Sequence, residues 1–237
     1  MLVWENHGQP YTFGTDMVVC KKAGLVYIDN VKAGSTAVQA VLGTRFGCTW
    51  TRHNNWAPPE LSRAKCWGLK PRKCRATTQW FEDETVTGDP GMLFFSVVRE
   101  PIDRFVSGFK QALLQDKALR NETISSFIRS YQYASMNEHT QTQARRLSGR
   151  DKAGNQVPMH FIASMENLEH DVAALFAHRG LPPVDEFPRM RAAARDPFKA
   201  SRAELGTALT TADVRLLCAH LMQDFVCFGY LLPQECR

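Results

Sequence analysis

The run Val31-Lys-Ala-Gly-Ser-Thr36 places a cation, a glycine and two hydroxyls within six residues. Gly34 permits a tight turn and lets backbone approach a ligand closely. If a helix starts here, its first amides are unpaired and its dipole adds partial positive charge. Lys32 then contributes a full charge, Ala33 and Gly34 the turn, and Ser35 and Thr36 their hydroxyls. The chemistry is that of a cradle for a phosphate or sulfate. The order differs from the triphosphate loop GxxxxGK[ST], because Lys32 precedes Gly34 rather than following it. The plainer alternative is a helix capped by Ser35 or Thr36 beside a solvated lysine.

A second run, Ser96-Val-Val-Arg-Glu-Pro-Ile-Asp-Arg-Phe-Val-Ser107, ends an apolar stretch with Arg99. The planar fork of an arginine binds two anion oxygens at once. Arg104 and Ser107 lie three apart and share a face of any helix that follows. This junction is also suited to an anion. Its competing reading is a salt bridge from Arg99 or Arg104 to Glu100 or Asp103. Two such junctions together fit a ligand with phosphate groups at both ends.

Elements must bring these junctions together. Residues 17–20 and 25–29 are short and rich in β-formers, and predict two strands joined by a turn. Apolar spacing over 35–46 predicts a helix. MLFFSVV at 92–98 predicts a strand buried on both faces, followed by a helix over 102–119 with Pro101 at its first position. Further helices are predicted at 123–134, 167–179 and 211–223, and a strand at 159–163. Residues 48–90 are turn-rich and predict a long excursion. The alternation indicates α/β: a parallel sheet flanked by helices, in a single domain over 1–237, with ligands beyond the carboxyl ends of the strands.

Bulk properties agree. The chain has 237 residues, 44% hydrophobic and 22% charged, which suits one globular core. Lys+Arg 29 against Asp+Glu 24 gives +5, which suits an anionic cofactor or polysaccharide and is too small to indicate nucleic acid. No run reaches the ~18 apolar residues of a membrane span, and the opening residues lack a signal-peptide pattern. The chain as given is expected to be soluble, with an upstream anchor left open. Seven cysteines without a CxxC pair argue against zinc, and no metal is expected. Cys66 and Cys74 are candidates for a disulfide in an oxidising compartment, and Asn121-Glu-Thr123 is a glycosylation triplet.

These motifs resemble the sulfotransferases that use 3′-phosphoadenosine 5′-phosphosulfate (PAPS). The likeness is strongest to the Golgi carbohydrate group, which includes chondroitin, dermatan and uronyl 2-O-sulfotransferases. LVYIDNVKAGSTAVQAVL resembles the 5′-phosphosulfate loop and FFSVVREPIDRFVSGF the 3′-phosphate segment. HFIASMENLEHDVAALF and the closing Asp224-Phe-Val-Cys-Phe-Gly-Tyr230 resemble later segments, so the likeness spans roughly 17–230. It implies a P-loop-like fold and PAPS as donor, with no metal. It also implies a hydroxyl acceptor, that of a carbohydrate, and residence in the Golgi lumen, the alternative being the cytoplasm. Lys32, Ala33, Gly34, Ser35 and Thr36 would hold the 5′-phosphosulfate; Arg99 and Ser107 would hold the 3′-phosphate. Golgi relatives begin with a tail, a span and a stem; the sequence given starts without that pattern, which leaves a fragment and a soluble variant both open. In uronyl-type relatives a histidine between the two loops is the base, which points to His53. His139, before Thr140-Gln141, is the second candidate; Glu60, Glu82 and Asp83 stay open. The rivals are a small-molecule kinase, which would need magnesium, and a non-catalytic module that holds sulfated glycans or nucleotides.

Overall fold

The computed structural model describes residues 17–51, 89–115, 119, 122–130, 137, 139–147, 157–184, 187 and 209–237. A five-stranded sheet runs in the order β3-β1-β2-β4-β5. Its strands are β1 (Met17–Cys20), β2 (Leu25–Ile28), β3 (Thr49–Thr51), β4 (Leu93–Val98) and β5 (Phe161–Ser164). β2, β4 and β5 are parallel, with Tyr27 opposite Phe95 and Phe95 opposite Phe161. β1 pairs antiparallel to both β2 and β3. The sheet is therefore mixed, not wholly parallel as the alternation predicts. The link from β1 to β2 is a short 3-10 turn, Lys21–Ala23, and so short a link forces strand reversal. β3 lies inside the expected excursion, of which 52–88 lie outside the described residues.

Every residue of β1 and β2 is buried. Alternate side chains feed different cores: Leu25 and Tyr27 join one cluster, Val26 and Ile28 the other. Burial of both faces explains why these strands are continuously apolar. Helix α1 (Ser35–Phe46) covers the first face with Val38, Val41 and Leu42. It is joined there by α5 (Leu168–His178) through Val172, Leu175 and Phe176. On the second face Leu147 of the short helix α4 (Gln143–Leu147) packs on Val26 and its neighbours.

A third cluster is helical. α2 (Pro101–Gln115) places Phe105 and Phe109 against Ile124 and Phe127 of α3 (Ile124–Arg129) and Leu217, Leu221 and Phe225 of α6 (Thr211–Phe228). Thr210 caps α6 in a reciprocal pair with Asp213, and Gly229 ends it in the left-handed region. Disulfides join Cys20 to Cys48 and Cys218 to Cys236, while Cys227 is free and exposed. Cys66, Cys74 and Asn121 lie outside the described residues. No helix among the described residues is long and apolar enough to cross a membrane.

Candidate functional site

The β2–α1 junction starts with Asp29 and Asn30, both buried. Lys32 then takes φ 71° and Gly34 φ 81°, two left-handed residues on either side of fully buried Ala33. A non-glycine residue there costs about 1–2 kcal/mol, so the surroundings must impose the kink at Lys32. Glycine suits 34 through its positive φ, and a Cβ there would also displace the flexible end of Met165, whose Sδ would lie 2.5 Å away. The N-cap of α1 is Gly34, with no side-chain cap, instead of Ser35 or Thr36 as the spacing predicts. The two hydroxyl residues are the first of the helix itself. Among the described residues the amino end of α1 therefore has no side-chain cap, and its first amides can serve a ligand. The Lys32 ammonium donates to Gln111 Oε1 of α2 at 3.4 Å.

The β4–α2 junction is built differently. Arg99 follows the last residue of β4, and its Nη2 lies 3.3 Å from Asp103 Oδ2, the ion pair that the competing reading foresees. Side-chain exposure of 25% for Arg99 and 68% for Asp103 makes that pair weak and open to exchange for a stronger anion. Glu100 Oε2 accepts from the Asp103 amide at 2.6 Å, so a carboxylate of the chain already fills the start of α2. Burial raises the Glu100 carboxyl above its usual range. The Glu100 amide donates to Glu166 Oε1, and the Tyr230 hydroxyl donates to Glu166 Oε2, each at 2.8 Å. Ser107 is buried further along α2.

Parallel pairing of β2 with β4 sets both junctions on one edge of the sheet. Gln143 fastens them together. The Asn30 side-chain amide donates to Gln143 Oε1 at 2.8 Å and to the Val97 carbonyl at 2.9 Å. The Arg99 amide donates to the same Gln143 oxygen at 2.9 Å, and Gln143 Nε2 returns a bond to the Arg99 carbonyl at 2.8 Å. Asp224 in turn fixes Gln143, accepting from the amides of Gln143 and Ala144 at 2.8 Å each. Burial pushes the Asp224 carboxyl up, against the downward pull of those amides and of Arg104. Arg146 donates to the Asp29 carbonyl at 3.0 Å. Sequence reasoning missed Asn30, Gln143 and Arg146. Their polarity reads as solvent exposure, and the one available signal is the polar run 140–143 between predicted elements.

His139 lies on the same side of the molecule. Only 7% of it is exposed, and its pKa is lowered to about 4 by burial first and then by the charges of Lys32, Arg146 and Arg104. The imidazole is thus neutral at neutral pH and close enough to Lys32 to feel its charge. His53, Glu60, Glu82 and Asp83 lie outside the described residues. Beyond the carboxyl ends of β4 and β5 opens a cleft of about 380 Å³, lined by Val98, Ile162, Ser164, Glu166, Asn167 and Tyr230 among others. Among the described residues, no group of three or more His, Cys, Asp or Glu is placed to hold a metal ion.

This edge thus offers an uncapped helix end with its lysine, a strand-end arginine held by one exposed carboxylate, and a neutral imidazole. Such groups can bind a doubly anionic ligand and leave a proton acceptor beside it. Comparison with curated proteins and with solved structures gave no significant match. The family model described as "Sulfotransferase family" matches residues 15–231, which include every element above up to Tyr230. The mixed sheet with its flanking helices is accordingly the α/β fold of a sulfuryl-transferring enzyme, and the chain belongs to the sulfotransferase family.

Proposed function

We propose that this enzyme transfers the sulfuryl group of PAPS to a hydroxyl of a carbohydrate. The observation that carries the donor reading is the pairing of the two junctions through Asn30, Gln143 and the Arg99 backbone, which sets Lys32 and Arg99 on one sheet edge. Lys32 and the first amides of α1, with Ser35 and Thr36, would hold the 5′-phosphosulfate. Arg99 would exchange Asp103 for the 3′-phosphate, with Ser107 beside it. The carbohydrate preference rests on the motif likeness, and the two disulfides suit the oxidising lumen in which carbohydrate sulfation occurs.

In-line transfer forms a bond from acceptor oxygen to sulfur and breaks the bond from sulfur to the 5′-phosphate oxygen. Negative charge grows on that departing oxygen, where Lys32 and the α1 amides are aimed. The acceptor proton needs a base. His139 is the described candidate: it is already neutral, and an anion bound at Lys32 would cancel part of the field that holds its pKa down. His53, the first candidate from the sequence, lies outside the described residues and stays open.

Calorimetry with adenosine 3′,5′-bisphosphate, followed by labelled PAPS on a panel of desulfated glycosaminoglycans, tests the reading. Micromolar binding and label transfer without magnesium are expected. Absence of binding would sink it, and magnesium-dependent turnover of ATP would replace it with a kinase. Binding without transfer to any acceptor would favour a glycan- or nucleotide-holding module.

A further inference from the structure

One face of α2 touches both halves of this site. Arg104, Gly108 and Gln111 recur at helical spacing and so share a side of the helix. Arg104 is 1% exposed, and its guanidinium spans two segments. Nε donates to the Val31 carbonyl at 3.1 Å, just before the kink at Lys32, and Nη1 donates to the Gln141 carbonyl at 2.7 Å. Its third nitrogen, Nη2, is buried without a partner among the described residues. Burial lowers the group to about 10, so it stays cationic at neutral pH. One turn on, Gly108 lies directly under the His139 backbone; a Cβ there would collide with the His139 carbonyl oxygen and sit 2.6 Å from its carbon. Gln111 then receives the Lys32 ammonium. A phosphate-binding role for Arg104, which its spacing from Ser107 suggests, does not fit a guanidinium committed to two carbonyls and closed to solvent.

We propose that Arg104 is a positioning residue whose fork sets the Lys32 loop and the His139–Gln143 segment in register on the Gly108 face of α2, so that filling the donor loop orders the segment carrying the proton acceptor. The proposal rests on the donor reading of the Lys32 loop. A planar fork can hold two carbonyls in fixed relation, which a lysine at 104 cannot. A residue that only supported the fold would bury an apolar side chain here more cheaply than a cation with an unused N–H.

Amide hydrogen exchange with and without saturating adenosine 3′,5′-bisphosphate tests this, on wild type and Arg104→Lys, after melting curves confirm folding. In wild type the ligand should slow exchange at 33–36 and, by about tenfold, at 139–143. In Arg104→Lys the slowing at 33–36 should persist while that at 139–143 disappears. A merely structural loss would speed exchange equally with and without ligand. Slowing of both segments in Arg104→Lys overturns the proposal. Should that variant not fold, Gly108→Ala lifts the His139 backbone off α2 without changing any charge, and the same separation of responses is expected; retained coupling there overturns it equally. Failure of wild type to bind the bisphosphate sinks the donor reading, and this proposal with it.

Discussion

The two strand–helix junctions look alike in sequence and differ in construction. α1 begins on a glycine and carries no capping side chain, so on the proposed reading its main-chain amides would form the binding surface. α2 begins under the carboxylate of Glu100, which takes the Asp103 amide for itself. With that carboxylate in place the second helix end is unsuited to an anion, so under the proposed reading the junction would bind through the Arg99 side chain. One junction thus offers a ligand backbone held in a strained loop, the other an arginine in an exposed ion pair. Substitution should hurt the first through rate and the second through affinity.

Lys32→Ala should break the first junction most severely. If Lys32 serves the departing oxygen as proposed, loss of its charge costs about 3–4 kcal/mol of barrier, a few hundred-fold in kcat, with a smaller change in donor affinity. Equal losses in both would erase the distinction between the junctions. The His139 side of that junction has a pH signature. Its pKa is about 4 when folded against 6.5 for the free side chain, so protonation favours the unfolded chain. The stability contribution is full above pH 6.5 and falls as pH drops toward 4, by roughly 3 kcal/mol in all. His139→Gln should flatten that part of a denaturation-versus-pH curve. An unchanged slope would mean that the imidazole is not held neutral.

Arg99→Ala should weaken adenosine 3′,5′-bisphosphate by about 10- to 100-fold in calorimetry, the usual worth of a charge-assisted bond. Normal affinity would remove Arg99 from the donor site. Glu100→Ala is the mildest test. It should lower stability by about 1 kcal/mol, the cost of a lost cap, and leave donor affinity within about threefold. A large gain in affinity would show that the uncapped α2 end also binds anions.

Much of the frame was legible because apolar pattern follows burial. MLFFSVV is a buried strand, and the helix predicted at 35–46 spans Ser35–Phe46. The limits of other helices shifted where caps, rather than apolar spacing, decide them: α3 ends at Arg129 where the pattern runs to 134, and α6 continues past 223 to Phe228. The helix reading stops before Asp224 because a carboxylate there looks solvated; it is instead buried under two amides of α4. Lys32, Gly34 and Arg99 could be picked out because charge and glycine at strand ends are unusual. Gln143 could not, since nothing local distinguishes an amide that links two loops from one that faces water. Strand direction at β1 depended on a turn of three residues, and β3 was hidden by its length.

The Cys20–Cys48 bridge has a consequence for how the enzyme would be handled. It ties the end of β1 to the residue before β3, so the chain leaves Thr51 from a covalently fixed point. Neither junction contains a cysteine of that bridge. Mild reductant should therefore leave nucleotide retention on an affinity column intact while eroding selectivity among acceptors, if those are gripped by the stretch that follows. Preparations made in a reducing host would then look competent by ligand binding and still disappoint in turnover.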